Sequence, residues 1–184
     1  MEDSNFKFRI LSLDRFNYPM LKSRLIDLYL TAFTQGEYAQ YIDKADAEET
    51  VEFLIENGFG YIAIYNEEIV AFTLATTLSF DKEFPIGVLD NVKHDNIVYI
   101  AEVIVDSDFR RNGLATALID RLIGLEKYKY SGAVIRVWEK NRPALSLYQK
   151  LGFSRVAEIS QTKMSSPTEE FQMRKIYLYK NFNV

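Results

Sequence analysis

Two groups of residues in this chain have types and spacing that can do chemistry. The first is Arg110-Arg111-Asn112-Gly113-Leu114-Ala115, set between an apolar, strand-like run ending at Val105 and an amphipathic helix opening at Leu114. A glycine-bearing turn at a helix start leaves backbone N–H groups unpaired and aimed outward, and the arginines add positive charge. Such a turn suits a multiply charged anion such as a pyrophosphate. The second is Glu102, the odd residue in Tyr99-Ile100-Ala101-Glu102-Val103-Ile104-Val105. A carboxylate in a central strand is costly to bury unless paired, and desolvation raises its pKa toward that of a useful base. The alternative is a structural carboxylate paired with a nearby arginine or hydroxyl.

Composition removes other chemistries. The chain has no cysteine, which excludes disulfides, thiolate metal sites and cysteine nucleophiles. His94 is the only histidine, so a Ser-His-Asp triad or a multi-histidine zinc site lacks material, and no metal is expected. A net charge of −4 gives no support to nucleic-acid binding, which needs a basic footprint. No apolar run approaches the ~20 residues that cross a bilayer, and Met1-Glu2-Asp3-Ser4 is acidic and polar. No membrane partner is expected, and a soluble cytoplasmic protein is the default. There is no G-x-x-x-x-G-K-[ST], which disfavours a nucleotide-binding protein of the P-loop type. Gly58-Phe59-Gly60-Tyr61-Ile62-Ala63 has the letters of a dinucleotide fingerprint but precedes a strand instead of following one, so it reads as a turn.

The elements that must position these residues follow from periodicity. With 184 residues, 48% of them apolar and 26% charged, the chain fits one globular domain. Residues 6–13 read as a strand, and Pro19 opens a helix carrying Leu21, Leu25, Leu28 and Tyr29. A second helix over 46–56, with Val51, Phe53, Leu54 and Ile55 as its apolar content, stops at Asn57-Gly58. Strands at 59–65 and 69–78 flank the turn Asn66-Glu67-Glu68. Residues 79–96 are long for a connector and read as a functional lid or an accessory hairpin. The run 97–105 is a central strand covered on both faces. A helix over 114–127 carries Leu114, Ala117, Leu118, Leu122 and Leu125 on one side, and a strand at 133–138 follows. A short helix over 143–151 ends at Gly152, and strands at 153–160 and 171–180 are separated by a polar loop, 161–170.

The blocks 102–116 and 134–153 together resemble the GNAT superfamily of N-acetyltransferases, which transfer an acyl group from acetyl-CoA to an amine. The family's acetyl-CoA signature, [Arg/Gln]-x-x-Gly-x-[Gly/Ala], is met by Arg110, Gly113 and Ala115. Val103-Ile104-Val105-Asp106 looks like the strand that supports the pantetheine arm. The second block is Asn141-Arg142-Pro143-Ala144, then Tyr148, then Leu151-Gly152-Phe153. Two departures are an alanine at 115 instead of glycine and Asp106-Ser107 in place of a common proline turn.

The resemblance implies an α/β (α+β) fold in one domain over 1–184. Residues 6–96 would form the acceptor side, 97–153 the cofactor core and 154–184 the C-terminal strands. Its central mixed, mostly antiparallel twisted sheet would have about six to seven strands, flanked by about four helices, with parallel strands splayed at the cofactor cleft. Acetyl-CoA is the implied cosubstrate, its pyrophosphate held by backbone amides of Asn112, Gly113, Leu114, Ala115 and Thr116 with Arg110 and Arg111 alongside. Val103, Ile104 and Val105 would meet the pantetheine arm through main-chain groups. Asn141 reads as the N-cap of the helix at Pro143, as a contact to the cofactor arm, or as both.

In the family pattern the tyrosine at 148 faces the coenzyme sulfur as general acid. A phenol with a reference pKa of ~10 stays protonated at neutral pH, as that role requires. Its other reading is a core tyrosine on the stripe Ala144, Leu147, Tyr148, Leu151. A glutamate on the strand of Glu102 receives the amine proton in related enzymes, directly or through water. The acceptor is a primary amine of a small molecule or a peptide. Phe33, Tyr38, Tyr41, Phe80 and Phe84, with Glu37, Asp43 or Asp81, are candidates for its pocket by cation–π and ionic contact, against ordinary packing. Arg136 and Trp138, ending a strand near the expected cleft, and His94, in the long loop just before the central strand, are weaker candidates. A noncatalytic acyl-CoA-binding sensor or interaction module is the alternative, needing the phosphate turn but neither Tyr148 nor Glu102. Many relatives pair through their C-terminal strands, and the apolar, aromatic stretch 171–180 permits a homodimer.

Overall fold

The computed structural model describes residues 7–36 and 39–183. Phe6, expected to open the first strand, and Glu37 and Tyr38, expected near the acceptor, lie outside the described residues. In chain order the elements are β1 (Arg9–Leu13), α1 (Tyr18–Thr34), α2 (Lys44–Glu56), β2 (Phe59–Tyr65), β3 (Glu68–Thr77), β4 (Ile97–Val105), α3 (Leu114–Glu126), β5 (Gly132–Trp138), α4 (Arg142–Lys150), β6 (Ser154–Ser166) and β7 (Glu169–Asn181). The strands form one seven-stranded sheet in the order β1-β2-β3-β4-β5-β7-β6. Among the described strands only β4 and β5 run parallel; the other pairs are antiparallel. This is the mixed sheet with four helices that the family resemblance implies.

Local chemistry explains the element ends. Pro19 sits in the first turn of α1, where its missing N–H costs nothing. Asp43 caps α2, its carboxylate accepting from the Ala45 amide. Asn66 and Glu67 both take positive φ, 48° and 67°, which gives the two-residue β2–β3 turn the twist that hairpin strands need. A Cβ at Gly58 would fall 2.0 Å from the Ala75 carbonyl oxygen, and one at Gly60 2.3 Å from that of Thr73. The glycine pair that mimics a dinucleotide fingerprint therefore serves close packing.

Several expectations are corrected. Residues 161–170 are not a loop: β6 and β7 pair, with a register shift at Ser165, as far as Ser166 opposite Glu169, and only Pro167-Thr168 turns the chain. The stretch reads as polar because much of this hairpin is solvated, yet Gln161 and Met173 are buried. Residues 79–96 form no hairpin; short 3₁₀ turns, Leu78–Phe80 and His94–Asn96, stand at the two ends of the stretch. Leu125 is exposed and Ile119 and Ile123 are buried, so α3 presents a face rotated from the one expected. Phe53 is likewise largely exposed on α2. The stretch 171–180 lies inside the sheet, bonded to β5 on one side and to β6 on the other.

Two features position the site. β4 pairs with β5 only from Ile97↔Gly132 to Ile100↔Ile135, after which the strands part. At the same place β4 carries a β-bulge: Leu74 faces Glu102 and Ala75 faces Ile100, leaving Ala101 as the extra residue. Before the bulge, Val98 and Ile100 pack into the core under α3. After it, Val103 and Val105 pack there while Ile104 joins the core under α1 and α2. One inserted residue thus reverses the side-chain alternation and turns Glu102 to the α1–α2 face.

Candidate active site

A cleft of about 800 Å³ opens where β4 and β5 part. The turn before α3 lines one end, and Lys175 of β7 with Phe33 of α1 lines the other. Glu102 and Tyr148 also line it.

At the first end, Arg111 and Gly113 both adopt left-handed backbone, with φ of 69° and 78°. A non-glycine residue held there costs on the order of 1–3 kcal/mol, so the strain at Arg111 marks a turn whose shape matters. Gly113 is the N-cap of α3, no side chain among the described residues caps the helix, and its first turn carries no acidic residue. The first main-chain bond at this end is Ala117 N–H to Gly113 O at 2.9 Å. The amides from Asn112 to Thr116 therefore keep their donors unused among the described residues. Consecutive open N–H groups with two arginines beside them fit a pyrophosphate.

The Arg110 Nε donates to the Val105 carbonyl at 3.4 Å. The Asn112 side chain donates to the carbonyls of Phe109 and Arg110, which braces the loop. Of the thirteen residues expected at the site, Asn112 is the one that does not line the cleft; Glu102, Val103, Ile104, Val105, Arg110, Arg111, Gly113, Leu114, Ala115, Thr116, Asn141 and Tyr148 do.

The edge of β4 supplies the middle of the cleft. The Thr73 hydroxyl, on β3, donates to the Glu102 carbonyl at 2.8 Å, so that carbonyl faces away from β5. Alternation along the strand then turns the main-chain groups of Val103 and Val105 toward the gap. Across the gap, Asn141 caps α4 by accepting from the Ala144 amide at 3.2 Å and also lines the cleft, so its two expected roles are geometrically compatible.

Glu102 and Tyr148 reach the gap from opposite faces of the sheet. Glu102 is half-buried on the α1–α2 face, and burial pushes its carboxyl up to about 7, with Lys175, Arg136 and Lys163 pulling the other way. Tyr148 belongs to the core under α3 and is 7% exposed. Burial first, and then the charge of Glu102, push its phenol above the usual tyrosine range, which keeps it protonated. Tyr29 on α1 is raised by burial and by the same carboxylate.

The raised carboxyl has a stability consequence. Because Glu102 holds its proton more tightly in the fold than its ordinary value of 4.5, its contribution is present at low pH and is lost as pH climbs through about 7. Melting series from about pH 5 to about pH 8 should show the wild type losing stability relative to Glu102→Gln. Parallel curves would contradict this.

The weaker candidates separate. Phe33, Phe80, Asp81, Arg136 and Trp138 line the cleft, whereas Tyr41, Asp43, Phe84 and His94 do not. Asp43 is occupied as a helix cap, and His94 and Phe84 stack edge to face at 5.2 Å. Arg136 is held by Glu83 at 2.7 Å and Asp81 at 3.5 Å. Gln40, Thr50, Met173 and Lys175 line the cleft and were not expected from the sequence. Lys175 had a readable signal: Phe171, Met173, Tyr177 and Tyr179 share its strand parity, a lysine amid an otherwise apolar row.

Comparison with known proteins bears on the family and the fold. The family described as Acetyltransferase (GNAT) family matches residues 22–153. An uncharacterized N-acetyltransferase of Methanocaldococcus jannaschii is 34% identical over 67 residues, which are 35% of this chain and 29% of that protein. The chain thus spans under a third of the length of that curated relative. The crystal structure of the ribosomal-protein-S18-alanine N-acetyltransferase from Escherichia coli superposes with a TM-score of 0.65 at 20% identity, covering 96% of this chain and 94% of that one. Arabidopsis thaliana NAA60 in complex with acetyl-CoA superposes with a TM-score of 0.68 at 16% identity, covering 97% and 100%.

Proposed function

The chain belongs to the acetyltransferase (GNAT) family, and from that premise we propose that it transfers the acetyl group of acetyl-CoA to a primary amine by direct attack. Acetyl-CoA supplies the activated acyl group as cosubstrate. The turn from Arg110 to Thr116 binds its diphosphate through open amides, and the main-chain edge at Val103 and Val105 pairs with its pantetheine arm. Both ends fixed, the thioester lies in the gap between the parted strands. Glu102, directly or through water, takes the proton that the attacking amine sheds. Tyr148 donates its phenolic proton to the departing thiolate. No covalent enzyme intermediate is needed, which suits a chain without cysteine.

The observation that carries this reading is the placement of a raised-pKa carboxyl and a protonated phenol on opposite faces of one strand gap. The amine can approach Glu102 from the α1–α2 face while the thiolate leaves toward Tyr148. Calorimetry with acetyl-CoA, followed by free-thiol release across a panel of amines, tests it. Saturable binding and amine-dependent thiol release are expected. Binding without turnover on any amine would favour the sensor module, and no binding would defeat both.

A further inference from the structure

Lys175 has no part in the chemistry above, yet it stands half-buried in the cleft with Glu102 and Arg136. It lies on β7 opposite Trp138 of β5. The two cations differ in their surroundings. Arg136 already has Glu83 and Asp81 as counter-charges and donates to the Tyr177 hydroxyl at 3.0 Å. Lys175 makes no ion pair or hydrogen bond among the described residues; burial, and then Arg136 and Lys163, lower it to about 8, which leaves it charged at neutral pH. The Glu102 and Glu83 carboxylates offset only part of that burial from a distance, so a half-buried ammonium with no direct ion pair among the described residues gains from an anion supplied by a ligand.

The surroundings restrict what can supply it. Along the hairpin beyond Lys175, the Tyr41 amide, from the α1–α2 connection, donates to the Met164 carbonyl of β6 at 2.7 Å. Gln161 of the same strand bonds Glu83. The connection and the hairpin are therefore tied across the acceptor end, which favours a compact molecule over a polypeptide lying through the cleft. Glu102 and Lys175 present opposite charges to one space, and each lies within the electrostatic reach of the other.

Building on the acyl-transfer reading, we propose that Lys175 holds a carboxylate of the acceptor, so that the acceptor is a small, amino-acid-like molecule whose amine meets Glu102 while its carboxylate meets Lys175. Steady-state kinetics with free amino acids, their carboxamides, the matching decarboxylated amines, spermidine and a short peptide with a free N-terminus tests this. The wild type should favour the best amino acid over its carboxamide by about tenfold or more in kcat/KM, as a charge-assisted contact gives. Lys175→Met should bring that ratio close to one, mainly through KM, and Lys175→Arg should restore part of it. Met nearly matches the lysine stem in volume, and unaltered acetyl-CoA binding would show that the variant folds. Equal use of acids and amides, a preference for spermidine or the peptide, or a ratio unmoved in Lys175→Met would overturn the proposal while leaving acyl transfer intact. Failure of the wild type to bind acetyl-CoA would instead bring down the reading beneath it.

Discussion

Tyr148→Phe should lower kcat by about a hundredfold or more while leaving the affinity for acetyl-CoA within about twofold. The side chain is almost wholly buried in the core under α3, packs edge to face on Phe153 at 6.4 Å, and loses only one oxygen in the substitution. That hydroxyl makes no hydrogen bond to the described residues, so removing it orphans no partner, and the fold should tolerate the change. What disappears is the proton available to a leaving thiolate. Single-turnover thiol release, with binding measured separately by calorimetry, separates the two effects. A variant with unchanged kcat would make Tyr148 a packing residue and the mechanism above wrong in its last step.

Gly113→Asp should abolish most acetyl-CoA binding, weakening it by about a hundredfold or more, while costing the fold only about 1–3 kcal/mol of left-handed backbone strain. A Cβ at this position meets nothing within 4 Å among the described residues, so space is not the constraint. The φ of 78° is, and aspartate tolerates that region better than most side chains. Aspartate is also a favoured N-cap, able to occupy amides that glycine leaves open at the start of α3. The capping contact offsets part of the backbone strain, whereas the ligand loses its donors outright. The aspartate carboxylate takes the donors meant for the diphosphate and adds repulsion of about 4 kcal/mol for charges ~4 Å apart at an effective dielectric near ~20. Calorimetry beside a thermal melt reads both. Loss of binding together with loss of fold would mean that strain, not charge, was the cause.

The sequence was informative where chemistry is local. The turn from Arg110 to Ala115, the cap at Asn141 and the helix carrying Tyr148 each depend on residues within a few positions of one another, and their signals sit in contiguous text. The four helices and the strand from Ile97 to Val105 were legible for the same reason. Glu102 stood out as a charge in an apolar run, so its burial and raised pKa could be anticipated.

Its direction could not. The bulge at Ala101 exists only because β3 and β4 pair with a skipped register, and it is this skip that turns Glu102 toward α1 and α2. Lys175 and Arg136 reach the same space only because β7 lies against β5, a neighbour far away along the chain. The polar stretch at 161–170 looked like a loop for a related reason: strand pairing satisfies its backbone, whereas its side chains mostly face water. Main-chain turns and helix ends are set by short-range sterics and hydrogen bonding, so the linear order of residues determined them. Which charges share a cavity depends on register between distant strands, and only the folded sheet decided that.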